Sequence, residues 1–242
     1  MLATSVPKVL PQALALAGDS LAHGEPILIF DAPDREGETD LVFLSEKATP
    51  ELIWLARQDA GGLICTAYSD ELRSRLGLPF ASDLLLLGSQ RYPILGELAR
   101  QKLRYDQRSA FGITVNHRTN FTGVPDRDRA VTIRSLGELA RDAPSLSTEA
   151  LRARFTAEFT SPGHVPLLYA APGLVRERKG HTELAISLVR LAGLSESATV
   201  CEMLGDSGGP RSPEAARTYA DSHGWVFLEG RTIAEAITKW SA

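Results

Sequence analysis

Cysteine is scarce: the 242 residues hold two, Cys65 and Cys201, each inside an apolar segment. They form no C-x-x-C pair, so neither a zinc ribbon nor a disulfide framework is indicated, and a reducing cytoplasm fits best. Long apolar runs are missing too. No stretch approaches the roughly 20 residues that a membrane span needs, so no membrane partner is expected. Positive charge is not in excess: the formal net charge is -4, which argues against nucleic acid as the main partner. There is no P-loop, no G-x-G-x-x-G, no internal repeat and no dividing linker, and one domain over residues 1–242 is expected. The composition that remains, 43% hydrophobic and 23% charged, can bury a sizeable core.

Near the start, Lys8 and the apolar residues after it faintly resemble a signal peptide. However, Val9, Ala13, Leu16 and Leu21 recur at helical spacing and Asp19 interrupts the run, which predicts an amphipathic helix ending near Gly24. Strands are expected at 26–30, 41–44, 63–67, 111–115, 165–170, 198–204 and 225–228. Thr49 before Pro50, and Ser69, read as helix caps. Further helices are expected from Thr182 to Gly193 and over 213–222 and 232–239, while 136–159 has helical spacing broken at Pro144 and near Ser147. Residues 82–106, interrupted by Gly88, Pro93 and Gly96, read as a loop-rich excursion with one short helix over 96–103. Alternating strands and helices give an α/β class (α/β or α+β), a mixed β-sheet flanked by helices.

The chemistry begins at 31–40. Asp31, Asp34, Glu36, Glu38 and Asp40 crowd into ten residues with Arg35 as the only cation. Pro33 and Gly37 make the stretch a loop between two apolar strands. Such charge repels itself unless solvent, a metal or a cationic group neutralises it. Composition alone favours a solvated acidic turn, and a divalent-cation site is the sharper reading.

A second cluster spans 161–164 and 176–183. Arg176, Arg178 and Lys179 lead through Gly180 into a helix N-terminus, which is how a phosphate site is built. An ordinary basic loop with a Thr cap accounts for the same residues equally well. His181 reads either as a metal ligand or proton shuttle, or as a surface residue. Glu202, in the otherwise apolar run 200–204, is either on a wet face or buried with a raised pKa.

In order, the segments D-x-x-D-R-E-G-E-x-D (31–40), G-G-L-I-C (61–65), T-G-V-P-D-R-D-R-A-x-T-I (122–133), S-P-G-H-V (161–165), R-K-G-H-T-E (178–183) and C-E-M-L (201–204) resemble the 3,4-dihydroxy-2-butanone 4-phosphate synthase family of riboflavin biosynthesis. R-E-G-E-T-D here replaces R-E-N-E-G-D, and R-K-G-H-T replaces R-G-G-H-T, so the form resembles the archaeal branch, and without a C-terminal GTP cyclohydrolase II domain it is expected to be the stand-alone form. The resemblance implies a cytoplasmic carbon-carbon lyase that converts D-ribulose 5-phosphate to L-3,4-dihydroxy-2-butanone 4-phosphate and formate. It implies Mg2+ or Mn2+, two ions per site, on Glu36 and His181. It implies catalytic roles for Asp31, Glu38, Cys65, His164 and Glu202. Substrate contacts are implied for Arg35, Glu36, Asp40, Thr122, Asp128, Arg129, Arg178, Lys179, Gly180, His181, Thr182 and Glu202. Cys65 also reads as a small buried hydrophobe. Tyr105, Asp106 and Arg108 fall where the family has a mobile substrate loop. The family is homodimeric with sites near the interface, and its partner is a small sugar phosphate.

Two other classes compete. Gly205-Asp206-Ser207-Gly208-Gly209 spells a serine-hydrolase nucleophile motif, with Asp221 and His223 following in hydrolase order. Pro210 and Pro213 delay the helix that a nucleophile elbow needs, and too little chain follows to carry the acid and base. A nucleotide- or RNA-binding relative of the threonylcarbamoyl-adenylate synthase fold would need a basic groove, against which the acidic loop and net charge argue.

Overall fold

Hydroxyl side chains fix where several helices begin. Thr49 Oγ1 accepts from the Leu52 amide (3.3 Å) and Ser69 Oγ from the Leu72 amide (3.3 Å), as the sequence predicts. Ser147 and Ser212 do the same for the Ala150 and Ala215 amides, both at 3.2 Å. The computed structural model describes residues 10–100, 106 and 108–240. Lys8, Val9, Tyr105 and the end of the expected helix over 96–103 lie outside the described residues.

The helices, in chain order, are α1 (Gln12–His23), α2 (Pro50–Asp59), α3 (Asp70–Leu76), α4 (Ala81–Gly88), α5 (Pro93–Ala99), α6 (Asp126–Asp142), α7 (Thr148–Glu158), α8 (His181–Leu191), α9 (Pro213–His223) and α10 (Gly230–Trp240). The strands are β1 (Ile27–Phe30), β2 (Thr39–Leu44), β3 (Cys65–Tyr68), β4 (Phe111–His117), β5 (Phe159–Tyr169), β6 (Ser197–Glu202) and β7 (Phe227–Glu229). They join one mixed sheet in the order β4-β5-β3-β6-β2-β1-β7. β1 runs parallel to β7 and β3 to β5, and the other neighbours are antiparallel.

Strand side chains alternate between the two faces and feed two apolar layers. Leu28, Leu41, Phe43 and Tyr68 face a core shared with α2, α3, α6, α7 and α9. Ile27, Ile29, Val42, Leu44 and Ala67 face a second core shared with α1, α8 and α10. Because both faces are covered, the central strands β1, β2 and β3 are buried at every position. The result is helix, sheet and helix in three layers.

The sequence reading departs from this fold in several places. In α1, Ala13 and Leu16 of the expected apolar face are exposed, and the buried face is Leu14, Ala17 and Leu21. The described residues 82–100 hold two helices rather than a loop with one: Pro93 opens α5 at its first turn, where its missing N–H costs nothing, and Gly88 is the last residue of α4. Asp126 to Ile133, which reads in sequence as a charged turn or helix start followed by a short apolar run, belongs throughout to the single long helix α6, whose first-turn Asp126 and Asp128 favour the positive helix end. β5 begins at Phe159, six residues before the expected start at 165. Pro162 and Gly163 sit in its outer half, where it pairs only with the edge strand β4.

Phe43 is fully buried between β2 and the α2/α6 layer. Phe43→Ala is expected to cost about 3–5 kcal/mol of unfolding free energy, read from the urea midpoint at unchanged slope. A loss below about 1 kcal/mol would mean that this layer repacks around the void.

Candidate active site

β2 and β6 pair with Asp40 opposite Glu202. The two carboxylates therefore stand side by side on the α8 face of the sheet, with Cβ atoms about 4.5–5.5 Å apart. Cys65, opposite Val200 on β3, shares that face. β1 and β2 are joined by the acidic loop, and α8 starts directly above it with His181. One end of the sheet thus collects residues from four separate segments.

The loop is shaped by Asp31. Its Oδ2 accepts from the Glu36 amide (3.1 Å) and its Oδ1 from the Glu38 amide (3.0 Å), while its own amide donates to the Glu38 carbonyl (3.1 Å). A single buried carboxylate thus turns the chain back on itself and aims Glu36 inward. On the outer side, an open cleft of about 1030 Å³ separates the loop from α9 and is lined by Pro33, Asp34, Gly37 and Arg217. The loop is therefore held from its inner side.

His181 is 6% exposed. Its Nε2 lies 3.2 Å from the Glu38 carbonyl, and that acceptor fixes Nε2 as the protonated nitrogen. Nδ1 is left facing carboxylates: Glu36 Oε2 at 3.4 Å and Asp40 Oδ1 at 3.5 Å. Burial works against the Glu36 carboxylate, but the His181 hydrogen bond and the Arg35 charge outweigh it and hold its pKa near about 2. Burial pulls the His181 imidazolium down, and the Asp40, Glu36 and Asp31 charges more than reverse it, so its pKa is raised. Asp40 and Glu202 are both raised by burial, and Asp40 further by Glu202 and Glu36. Burial also lifts the Cys65 thiol well above its usual range, so it is a thiol and not a thiolate.

One ligand atom each from Asp31, Glu36 and His181 lie within 4.8 Å of one another. Asp40 Oδ1 is buried with no hydrogen-bond partner among the described residues. Hard carboxylate oxygens, one imidazole and an orphaned acceptor suit a small divalent cation. The residues present fit such an ion.

Beside this cluster lies a cationic one. Arg35 Nη1 reaches Glu36 Oε2 (2.8 Å) and Asp31 Oδ2 (3.3 Å), and its Nη2 reaches Asp106 Oδ2 (2.9 Å). Arg178 Nε donates to the same Asp106 oxygen (2.7 Å) and Nη1 to Glu183 Oε2 (2.6 Å). The other Glu183 oxygen accepts from the Ala171 amide (2.9 Å). Gly180 leaves room for both guanidiniums. A Cβ would collide with Arg178 Nη1 and come within 2.8 Å of Arg35 Nη2. Thr182 is buried in the first turn of α8, whereas Lys179 is exposed and Arg176 turns away to the Thr238 carbonyl (3.1 Å).

The remaining expected residues gather elsewhere. His164 lies on β5, two strands from Glu202 in the sheet order, about 10 Å by strand spacing. Its amide donates to Asn116 Oδ1 (2.9 Å). Asp128 Oδ2 accepts from the Thr122 and Gly123 amides at 3.3 and 2.8 Å, and Arg129 pairs with Asp126 at 3.2 Å. Thr122, Asp128 and Arg129 thus form a second cluster at the start of α6, in the helix layer opposite α8. Two residues to which the sequence reading gave no role belong to the site: Glu183, within the 178–183 motif, and Asp106, placed only in the segment of the family's substrate loop. Glu183 is fully buried in an apolar helix, a placement that itself signals a partner. Asp106 carries no such signal.

The family model for 3,4-dihydroxy-2-butanone 4-phosphate synthase matches residues 16–236. The chain belongs to that family. It is 46% identical over 222 residues to the 3,4-dihydroxy-2-butanone 4-phosphate synthase of Methanothermobacter thermautotrophicus, covering 91% of this chain and 94% of that one. It is 33% identical over 221 residues to the riboflavin biosynthesis protein RibBA of Mycobacteroides abscessus, of which it spans 45%. The fold matches a crystal structure of a 3,4-dihydroxy-2-butanone 4-phosphate synthase in complex with two magnesium ions, with a TM-score of 0.70, 25% identity and 92% of this chain covered. The synthase family is an enzyme family, and the hydrolase motif does not compete with it structurally. Gly205 to Pro210 is an exposed turn closed by Gly205 N to Gly209 O (2.8 Å), and the Ser207 side chain is exposed. His223 Nδ1 bonds to the Tyr219 carbonyl (2.8 Å), so it is not poised as a base for Ser207.

Removing Glu183 leaves the Arg178 guanidinium and the Ala171 amide without their shared acceptor. Glu183→Ala is expected to lower the unfolding free energy by about 3–5 kcal/mol, and Glu183→Gln, which keeps an acceptor for Ala171, by less. Denaturant titration of the two variants checks the order. Equal losses would mean that the ion pair contributes nothing beyond the hydrogen bond.

Proposed function

We propose that this synthase is a lyase that converts D-ribulose 5-phosphate to L-3,4-dihydroxy-2-butanone 4-phosphate and formate. The observation that carries the reading is the meeting, at one sheet end, of a carboxylate-imidazole cluster (Asp31, Glu36, His181) with the guanidiniums of Arg35 and Arg178 beside the α8 N-terminus. The first suits a polyhydroxy ketone and its cation, and the second a phosphate.

Glu36 and His181 would hold Mg2+ or Mn2+, and a related synthase in complex with two magnesium ions supports two ions per site. The cation supplies positive charge where proton removal beside a carbonyl leaves negative charge. The rest falls to the chain itself. Arg178 and Thr182, with Gly180 giving close approach and exposed Lys179 at the rim, bind the phosphate end. Arg35 and Asp40 orient the sugar. Glu202 and Asp40, whose pKa values burial raises, can give and take protons at adjacent positions. Glu38, also raised by burial, stands as a further acid or base. Asp31 acts through the loop that it shapes, and Cys65 lines the floor as a neutral thiol. All substrate atoms leave in the two products, so no oxidant is needed.

His164 and the Thr122–Asp128–Arg129 cluster complete the site in a homodimer with sites near the interface. That reading is supported by an unusually apolar surface. α4 buries none of its residues, Leu87, Ile94 and Leu98 are 67%, 57% and 58% exposed, and Phe121 is 99% exposed. Among the described residues no helix is long and apolar enough to cross a membrane, and a cytoplasmic location fits the substrate. Residues 1–242 act as one synthase domain, in keeping with both apolar layers sharing one sheet.

Formate release from ribulose 5-phosphate should depend on Mg2+ and stop with a chelator. His181→Ala should lose turnover and cation binding together, and Ser207→Ala should keep turnover nearly intact. Metal-independent formate, or a dead but folded Ser207→Ala, would overturn the reading. Light scattering should give twice the chain mass, and Leu87→Asp should shift it toward the monomer. A monomeric wild type with full turnover would remove the shared site.

A further inference from the structure

Asp106 Oδ2 is one carboxylate oxygen held between two guanidiniums, 2.9 Å from Arg35 Nη2 and 2.7 Å from Arg178 Nε. The three side chains are 14%, 10% and 17% exposed, so the contact is largely shielded from water. An anionic oxygen between two guanidiniums is also what a phosphate presents. Both arginines keep other anchors that do not involve Asp106. Arg178 is fixed by Glu183, whose far oxygen is itself held by Ala171, and Arg35 is fixed by Glu36 and Asp31. A Cβ added at Gly180 would run into both guanidiniums, and the first turn of α8 follows directly. If Asp106 leaves, two positioned guanidiniums and a helix N-terminus remain around the place that it occupied.

We propose that Asp106 is a specificity-determining residue whose carboxylate holds the place of the substrate's phosphate between Arg35 and Arg178 and must be displaced by it. This rests on the reading of Arg178 as a phosphate-binding residue. The consequence is a threshold on charge. A tethered carboxylate carries one negative charge and has already lost its water, so a monoanion gains little by replacing it. A phosphate monoester dianion brings twice the charge and more acceptor oxygens, and can also use the α8 amides. The dianion exchanges with Asp106, while an unphosphorylated sugar leaves Asp106 in place. Asp106 and phosphate cannot share the pair, because two anions would then face the same guanidiniums at hydrogen-bond distance.

The test is calorimetric titration of inorganic phosphate, and separately of acetate, into wild type, Asp106→Asn, Asp106→Ser and Arg178→Ala at about pH 8. Phosphate should bind both Asp106 variants roughly tenfold more tightly than wild type. Acetate should gain more than phosphate, so that the preference for the dianion narrows. Thermal melts confirm that each variant is folded, and two replacements guard against one that is not. Unchanged or weaker phosphate binding in both Asp106 variants, with binding still lost in Arg178→Ala, would overturn the role of Asp106 and leave the phosphate site standing. Phosphate binding that survives Arg178→Ala unchanged would remove the phosphate site itself.

Discussion

A carboxylate taken out of water must be matched by a cation, a proton or a fixed set of N–H donors, and this molecule has several such carboxylates at one end of its sheet. Asp31, Asp40 and Glu183 are 5%, 1% and 0% exposed. Each is resolved differently. Glu183 takes an arginine and an amide, Asp31 takes two amides and an arginine, and Asp40 faces His181 and keeps an orphaned oxygen. The leftover negative charge is what makes the end of the sheet receptive to a cation. The two arginines, already committed to carboxylates on one side, face an anion on the other.

The sheet makes this arrangement possible because both of its faces are covered. Strands buried on both sides carry their side chains in and out of the cores with little freedom, so the register that places Asp40 opposite Glu202 also fixes the distance between two acids. α8 adds the rest. It is buried over nearly its whole length, and its first turn brings His181, Thr182 and Glu183 to the loop in one step. Rigid elements thus supply Asp40, Glu202, His181 and Glu183, while the acidic loop depends on the local hydrogen bonds of Asp31 for its shape.

Much of this was legible in the sequence where one residue type has one physical use. Thr49 and Ser69 announced their helices, and short apolar runs gave most strands. The ordered motifs located the acidic loop, His181 and Glu202. The departures have a common cause: residues that break regular structure in isolation are tolerated at its margins. Pro93 opens a helix, and Pro162 lies in the half of β5 that pairs only with an edge strand. Glu183 was visible within its motif, yet its task depends on burial, which a motif does not display. Asp106 was legible only as part of the segment where the family has its substrate loop. Its partners are 71 and 72 residues away, and only the fold brings them together.

The pairing of β2 with β6 has a temporal side as well. Asp40 and Glu202 meet across most of the chain, with β3, β4 and β5 and the helices between them formed from the intervening sequence. Contacts so distant along the chain form late, after the loop entropy of everything between has been overcome. During synthesis the acidic loop is made early and must wait, with its charges exposed to water, until β6 has left the ribosome. A nascent chain therefore carries the loop long before it carries a site.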